Sequence, residues 1–200
     1  MLLVAPAQAE TVIAALGDSL TQGYGLPRDE GLVPQLEAWL RQNGADARVI
    51  NAGVSGDTTA GGLSRVDWTL TDEVDVMIVA LGGNDLLRGV DPQAARSNLD
   101  GILQAAEARE VEVLLVAIAA PGNYGADYKS SFDAIFPDLA AEYDTLLAPS
   151  FFDAIRTEGD QVGLARYMQP DGIHPNADGV ELIVEALGPS VLELVERAEP

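Results

Sequence analysis

The stretch TVIAALGDSL, residues 11–20, opens with an unbroken apolar run that is β-branched at its start and ends at Gly17-Asp18-Ser19. A short apolar run closed by glycine reads as a strand buried on both faces, the kind found in parallel sheets covered by helices. The chain downstream repeats this logic. Further strands are expected at Ala47–Ile50, Val74–Leu81, Val111–Ala119 and Thr145–Ala148. Between them lie amphipathic segments. Leu32–Asn43 carries Leu32, Val33, Leu36, Trp39 and Leu40 at helical spacing, with Gly44 as its C′ residue. Thr58–Leu70 is helical, and a helix running to about Arg109 has Asp91 as its cap and Pro92 at its first position. Ser131–Glu142 is helical with Pro137 as its kink, and Asp178–Arg197 closes the chain with Val180, Ile183, Val184, Leu187, Val191 and Leu194 on one face. Five strands alternating with helices predict a single three-layer α/β/α domain around a parallel sheet.

In such sheets ligands bind beyond the carboxyl ends of the strands. Chemistry is therefore expected just after Leu16, Ile50 and Leu81, and polar, glycine-rich motifs stand at all three places: GDSLTQGYG (17–25), NAGVSGDTT (51–59) and GGNDLLRG (82–89). Ser19, just past a strand, can present its hydroxyl to the cleft with its own N–H beside it, although a cap at Asp18 or Ser19 explains the motif equally well. Gly53 offers an unobstructed N–H, and the Asn84 amide can donate where negative charge develops; an ordinary loop and a tight turn are their structural readings. A further motif, DGIHPNADG (171–179), decides between the readings. His174 is the only histidine, and Asp171 lies three residues before it in a loop bounded by glycine and proline. A turn there brings a carboxylate to the imidazole, the pairing that orients a general base for a serine nucleophile.

Taken together, these blocks resemble in order and spacing those of the SGNH (GDSL) hydrolase superfamily, most closely its bacterial thioesterase, lysophospholipase and arylesterase branch. That branch also has a stretch like PGNYG, here Pro121–Gly125. The resemblance implies a flavodoxin-like fold. It makes Ser19 the nucleophile, His174 the base, Asp171 its partner, and the Ser19 N–H, Gly53 N–H and Asn84 side chain the oxyanion donors. It implies hydrolysis of aryl or alkyl esters, acyl thioesters or lysophospholipids through an acyl-enzyme, with no metal or organic cofactor. Leu86-Leu87 stands where relatives often have a smaller first residue, so chain-length preference does not carry over. Leu86, Leu87, Ile118, Tyr124 and Phe132 are the candidate lining of an apolar substrate pocket. A carbohydrate O-acetyl esterase on the same fold and a non-catalytic binding module are the alternatives.

Composition narrows the partners. The 200 residues include 32 acidic and 11 basic side chains, a net charge of −21 that repels nucleic acid and anionic lipid and favours a neutral ester. There is no cysteine, hence no disulfide and no thiolate metal site, and one histidine does not build a usual zinc site. No G-x-G-x-x-G follows the first strand and no phosphate-loop signature occurs. No stretch is apolar over the roughly 20 residues a membrane span needs. Residues 1–9, MLLVAPAQA, end in a small-x-small pattern. They read as a secretory signal remnant or an apolar arm; the first predicts a periplasmic or secreted domain spanning 10–200, with a mature start near Glu10.

Overall fold

The computed structural model describes residues 10–156 and 161–198. Strands β1 (Thr11–Gly17), β2 (Ala47–Gly53), β3 (Val76–Ala80), β4 (Glu112–Val116) and β5 (Leu146–Ala148) form one sheet in the order β2-β1-β3-β4-β5. Every pairing is parallel. The period-two alternation of a strand divides the apolar residues between two cores. Ile13, Ala15, Val76, Ile78, Leu114 and Val116 face one side; Ala14, Leu16, Met77, Val79, Val113 and Leu115 face the other.

The first face is covered by α2 (Leu32–Gln42) and by α9 (Ala177–Ala198), which buries Val180, Ile183, Val184, Leu187, Val191 and Leu194. Each such side chain is worth about 1.5–3 kcal/mol relative to exposure, which fixes α9 against the sheet. The second face is covered by α3 (Thr59–Thr69), α5 (Pro92–Glu107) and α7 (Ile135–Glu142), with Leu99, Ile102, Phe136 and Leu139 at its centre. The short helices α1 (Ser19–Gln22), α4 (Gly83–Arg88), α6 (Ala126–Asp133) and α8 (Gln161–Arg166) lie in the connections.

The three-layer architecture expected from the sequence is present, with differences at the ends of elements. Gly82-Gly83-Asn84-Asp85 is not a tight turn: Gly82, at φ +125°, releases the chain from β3 directly into α4. The segment expected as one helix over Ser131–Glu142 is two, joined at Ala134, and the first begins at Ala126. Pro137 falls in the first turn of α7, three residues after the break at Ala134, where its missing N–H costs no bond within α7. Strand β4 stops at Val116, short of Ala119. Residues 1–9, on which the expectation of export rests, lie outside the described residues.

Candidate active site

The chain leaves β1 in one direction to build β2 and returns on the other side to build β3. This opens a crevice beyond the carboxyl ends of β1 and β3. Ser19 stands there as the first residue of α1. Asp18 caps that helix, its Oδ1 accepting the Leu20 N–H at 3.0 Å, while Gly23 at φ +84° ends it after one turn. The turn is tight enough that Gly23 and Tyr24 both donate to the Ser19 carbonyl, at 3.1 and 3.0 Å. The Ser19 N–H makes no hydrogen bond among the described residues and is free to face the cleft.

From the far end of the chain, the loop before α9 carries His174 to this serine. His174 Nε2 lies 2.8 Å from Ser19 Oγ, and His174 Nδ1 lies 2.7 Å from Asp171 Oδ2. An ionised carboxylate only accepts, so the proton belongs on Nδ1 and Nε2 is left to accept from the serine hydroxyl. The other carboxylate oxygen, Asp171 Oδ1, accepts the backbone N–H of Ile173 at 2.9 Å and of His174 at 3.0 Å. The imidazole contact first, then these two N–H groups, lower the Asp171 carboxyl to about 2. The Tyr24 ring covers the imidazole, with ring centroids 4.6 Å apart.

Asn84 enters from the first turn of α4, and its Nδ2 donates to Asp18 Oδ2 at 3.1 Å. One proton of that amide is thereby used and the other remains. Burial raises the Asp18 carboxyl above its usual range; the bonds from the Leu20 N–H and the Asn84 amide oppose that rise. Beneath Asn84, the fully buried Asp85 accepts the Thr59 N–H at 2.8 Å and the Thr59 hydroxyl at 2.7 Å, fastening α4 to the start of α3.

Gly53 departs from the sequence expectation. It belongs to β2, its N–H donates to Asn51 Oδ1 at 3.0 Å, and it does not line the cleft. It is glycine because β2 passes against α1: a Cβ here would sit 2.3 Å from the Gln22 backbone nitrogen. The glycine that reaches the cleft is Gly56, three residues on, at φ +82° in the turn after β2. Its N–H makes no hydrogen bond among the described residues, and its carbonyl accepts Arg88 Nη2 at 2.8 Å. The Ser-Gly-Asp turn at 55–57 carried the signal for it, since such a turn needs a left-handed residue.

The cleft encloses about 590 Å³ and is mostly apolar. Leu86, Leu87, Ile118 and Tyr124 line it as expected, whereas Phe132 does not: it is fully buried below Gly82, against Phe136. Phe152, Leu164 and Met168, which nothing in their local sequence marked, also line the cleft, as does Ile173 beside the imidazole. Arg65 was likewise unmarked. From α3 it donates to the carbonyls of Ala52 at 2.7 Å and Gly17 at 2.9 Å and pairs with Asp57 at 2.7 Å, tying together the ends of β1 and β2. Among the described residues, no group of His, Asp and Glu could hold a metal ion, and no helix is long and apolar enough to cross a membrane.

Comparison with known proteins finds relatives along almost the whole chain. Esterase TesA of Pseudomonas aeruginosa is 37% identical over 196 residues, covering 98% of this chain and 94% of that protein. The Escherichia coli (strain K12) thioesterase 1/protease 1/lysophospholipase L1 is 36% identical over 199 residues, covering 98% and 91%. Among solved structures, AlinE4, an SGNH-hydrolase family esterase, superposes with a TM-score of 0.76 at 46% identity, covering 94% of this chain and 97% of the other. The family model for GDSL-like lipases and acylhydrolases matches residues 15–182, from the end of β1 into α9, and this chain belongs to that family.

Proposed function

We propose that this protein is a serine hydrolase that cleaves carboxylic esters, and acyl thioesters or lysophospholipids of similar shape, through an acyl-enzyme on Ser19. The observation that carries this reading is the continuous relay from Asp171 through His174 to Ser19, at 2.7 and 2.8 Å, opening on an apolar cleft. His174 Nε2 takes the hydroxyl proton as Ser19 Oγ attacks the carbonyl carbon. The N–H groups of Ser19 and Gly56 and the second Asn84 Nδ2 proton converge on the oxyanion. Asp171 stabilises the imidazolium, which then protonates the leaving alcohol or thiol; water enters and the same steps release the acid.

The family match and the relatives named as esterase and as thioesterase and lysophospholipase support a small-molecule acyl substrate. The leucines, Ile118 and Tyr124 on the wall favour an acyl or aryl group over an acetylated sugar, whose hydroxyls an apolar wall would strip of water unpaired. A p-nitrophenyl ester series from acetate to palmitate, run beside an acetylated sugar and a lysolipid, resolves the class. The decisive test of the chemistry is Ser19→Ala. The folded variant is expected neither to turn over p-nitrophenyl butyrate nor to react with a fluorophosphonate, and appreciable turnover by it would sink the assignment. Residues 1–9 support export to the periplasm or beyond; mass spectrometry of the protein recovered from the periplasm checks this by the position of its first residue.

A further inference from the structure

Ser19 and His174 lie 155 residues apart in sequence, and the hydrogen bond between them does not hold their loops in register. It is a single neutral bond, worth about 1 kcal/mol net, and it is lost whenever Ser19 Oγ is acylated. We propose that Gln169 is a positioning residue that clasps the two loops and sets the serine–imidazole distance. The proposal rests on the reading of Ser19 and His174 as nucleophile and base.

Gln169 is half-buried, and both protons of its amide are used across the junction. One goes to the Tyr24 carbonyl at 2.8 Å and the other to the Pro175 carbonyl at 3.0 Å. Its backbone N–H donates to the His174 carbonyl at 2.8 Å, and its carbonyl accepts the Gly172 N–H at 3.0 Å. On the other side, the Tyr24 N–H donates to the Ser19 carbonyl at 3.0 Å. A closed circuit of hydrogen bonds therefore runs from the backbone of Ser19 through Tyr24 and Gln169 to the backbone on either side of the imidazole. The same bond holds Tyr24, whose ring covers that imidazole. The opposing chain makes room for the amide: at Gly25, φ +76°, a Cβ would stand 2.2 Å from Gln169 Oε1. Two carbonyl acceptors fix which end of the amide faces them, since the reversed amide would set oxygen against oxygen.

The test is Gln169→Glu, which keeps the length and replaces two donors with a carboxylate facing two carbonyls. His174 is the only histidine, so its Nδ1–H gives a single, unambiguous low-field proton resonance. With p-nitrophenyl butyrate, kcat is expected to fall about tenfold to a hundredfold, as for a misplacement of order 1 Å, with KM changed by less than about threefold. The low-field resonance is expected to broaden through exchange with water. Gly25→Ala, which displaces the amide without altering Gln169, is expected to move both readouts the same way and decides the matter should Gln169→Glu not fold. A folded variant with kcat within about twofold of the parent and an equally sharp resonance overturns the clasp, even if its melting temperature has dropped. Turnover by folded Ser19→Ala would instead overturn the hydrolase reading, so the two failures are distinct.

Discussion

Replacing Asn84 with alanine separates two effects that the structure joins in one amide. The first is on the transition state. Loss of one oxyanion donor costs about 2.7–4 kcal/mol, so kcat should fall roughly a hundredfold to a thousandfold with little change in KM. The second is on stability. Asn84 Nδ2 donates to the buried Asp18 Oδ2 at 3.1 Å, and losing a hydrogen bond to a charged group costs about 1.5–3 kcal/mol. For a domain of this size that lowers the melting temperature by about 3–12 °C. The stability effect should depend on pH. Burial raises the Asp18 carboxyl above its ordinary 3.8, so its contribution is most favourable below that value and is lost as pH rises through the raised one. Asn84 opposes the rise; removing it raises the carboxyl further and deepens the loss at neutral pH. The gap in melting temperature between parent and variant should therefore be smallest near the ordinary 3.8 and widen as pH rises above it. Steady-state kinetics and thermal melts across that rise provide both readings. A kcat within about tenfold of the parent would refute the donor role, and an unchanging gap would refute the link to Asp18.

Asp171→Asn should fold and lose about 10⁴-fold in kcat, because an amide cannot accept at all three of the donors that Asp171 satisfies and the imidazole proton moves to Nε2, facing the serine. In the parent, Asp171 at about 2 is depressed below its ordinary 3.8, so its contribution is present above that ordinary value and is lost only as pH falls through the lowered one. The Asp171 carboxyl signal followed by NMR should accordingly stay constant between about pH 4 and 6 and move only below that range, and a transition inside it would contradict the assignment. Gly53→Ala puts a methyl 2.3 Å from the Gln22 nitrogen, a backbone atom with nowhere to go, so urea denaturation should show a loss of about 1–3 kcal/mol and activity should drop as α1 shifts. Unchanged stability would mean that β2 and α1 are not packed as described.

The strands were legible because nearly every residue in them is apolar, and the amphipathic helices because their faces keep one period over several turns. Ser19, Asn84, Asp171 and His174 were legible for a different reason: their motifs follow strands or sit in a loop, where the fold leaves side chains free for chemistry. Gly53 was misread because a glycine in sequence does not reveal what its N–H meets. Two glycines within four positions, Gly53 and Gly56, serve opposite ends. One clears a path for α1 and gives its N–H to Asn51; the other turns the chain so that its N–H is left open. Only the register of β2 against β1, pairing Gly53 with Gly17, separates them. Phe132 was misread for a related reason, since an apolar residue near the cleft in sequence can point into the core behind it.

Arg65 belongs to no motif of the chemistry and Asp85 sits in one only as a buried neighbour of Asn84, yet the site depends on both through backbone that would otherwise lack partners. Where a parallel sheet ends, the last carbonyls and the first helical N–H groups lose their ladder, and each buried one left unpaired is costly. Here the guanidinium of Arg65 takes the carbonyls of Gly17 and Ala52, and the carboxylate of Asp85 takes the N–H of Thr59. These are charge-assisted bonds, stronger than the neutral ones they replace. They join β1, β2, α3 and α4, the elements that present Ser19, Gly56 and Asn84. The carboxylates of Asp18 and Asp171 then orient the groups that react. A relay of three side chains holds its geometry here because charged residues that never meet the substrate close the ends of the strands beneath it.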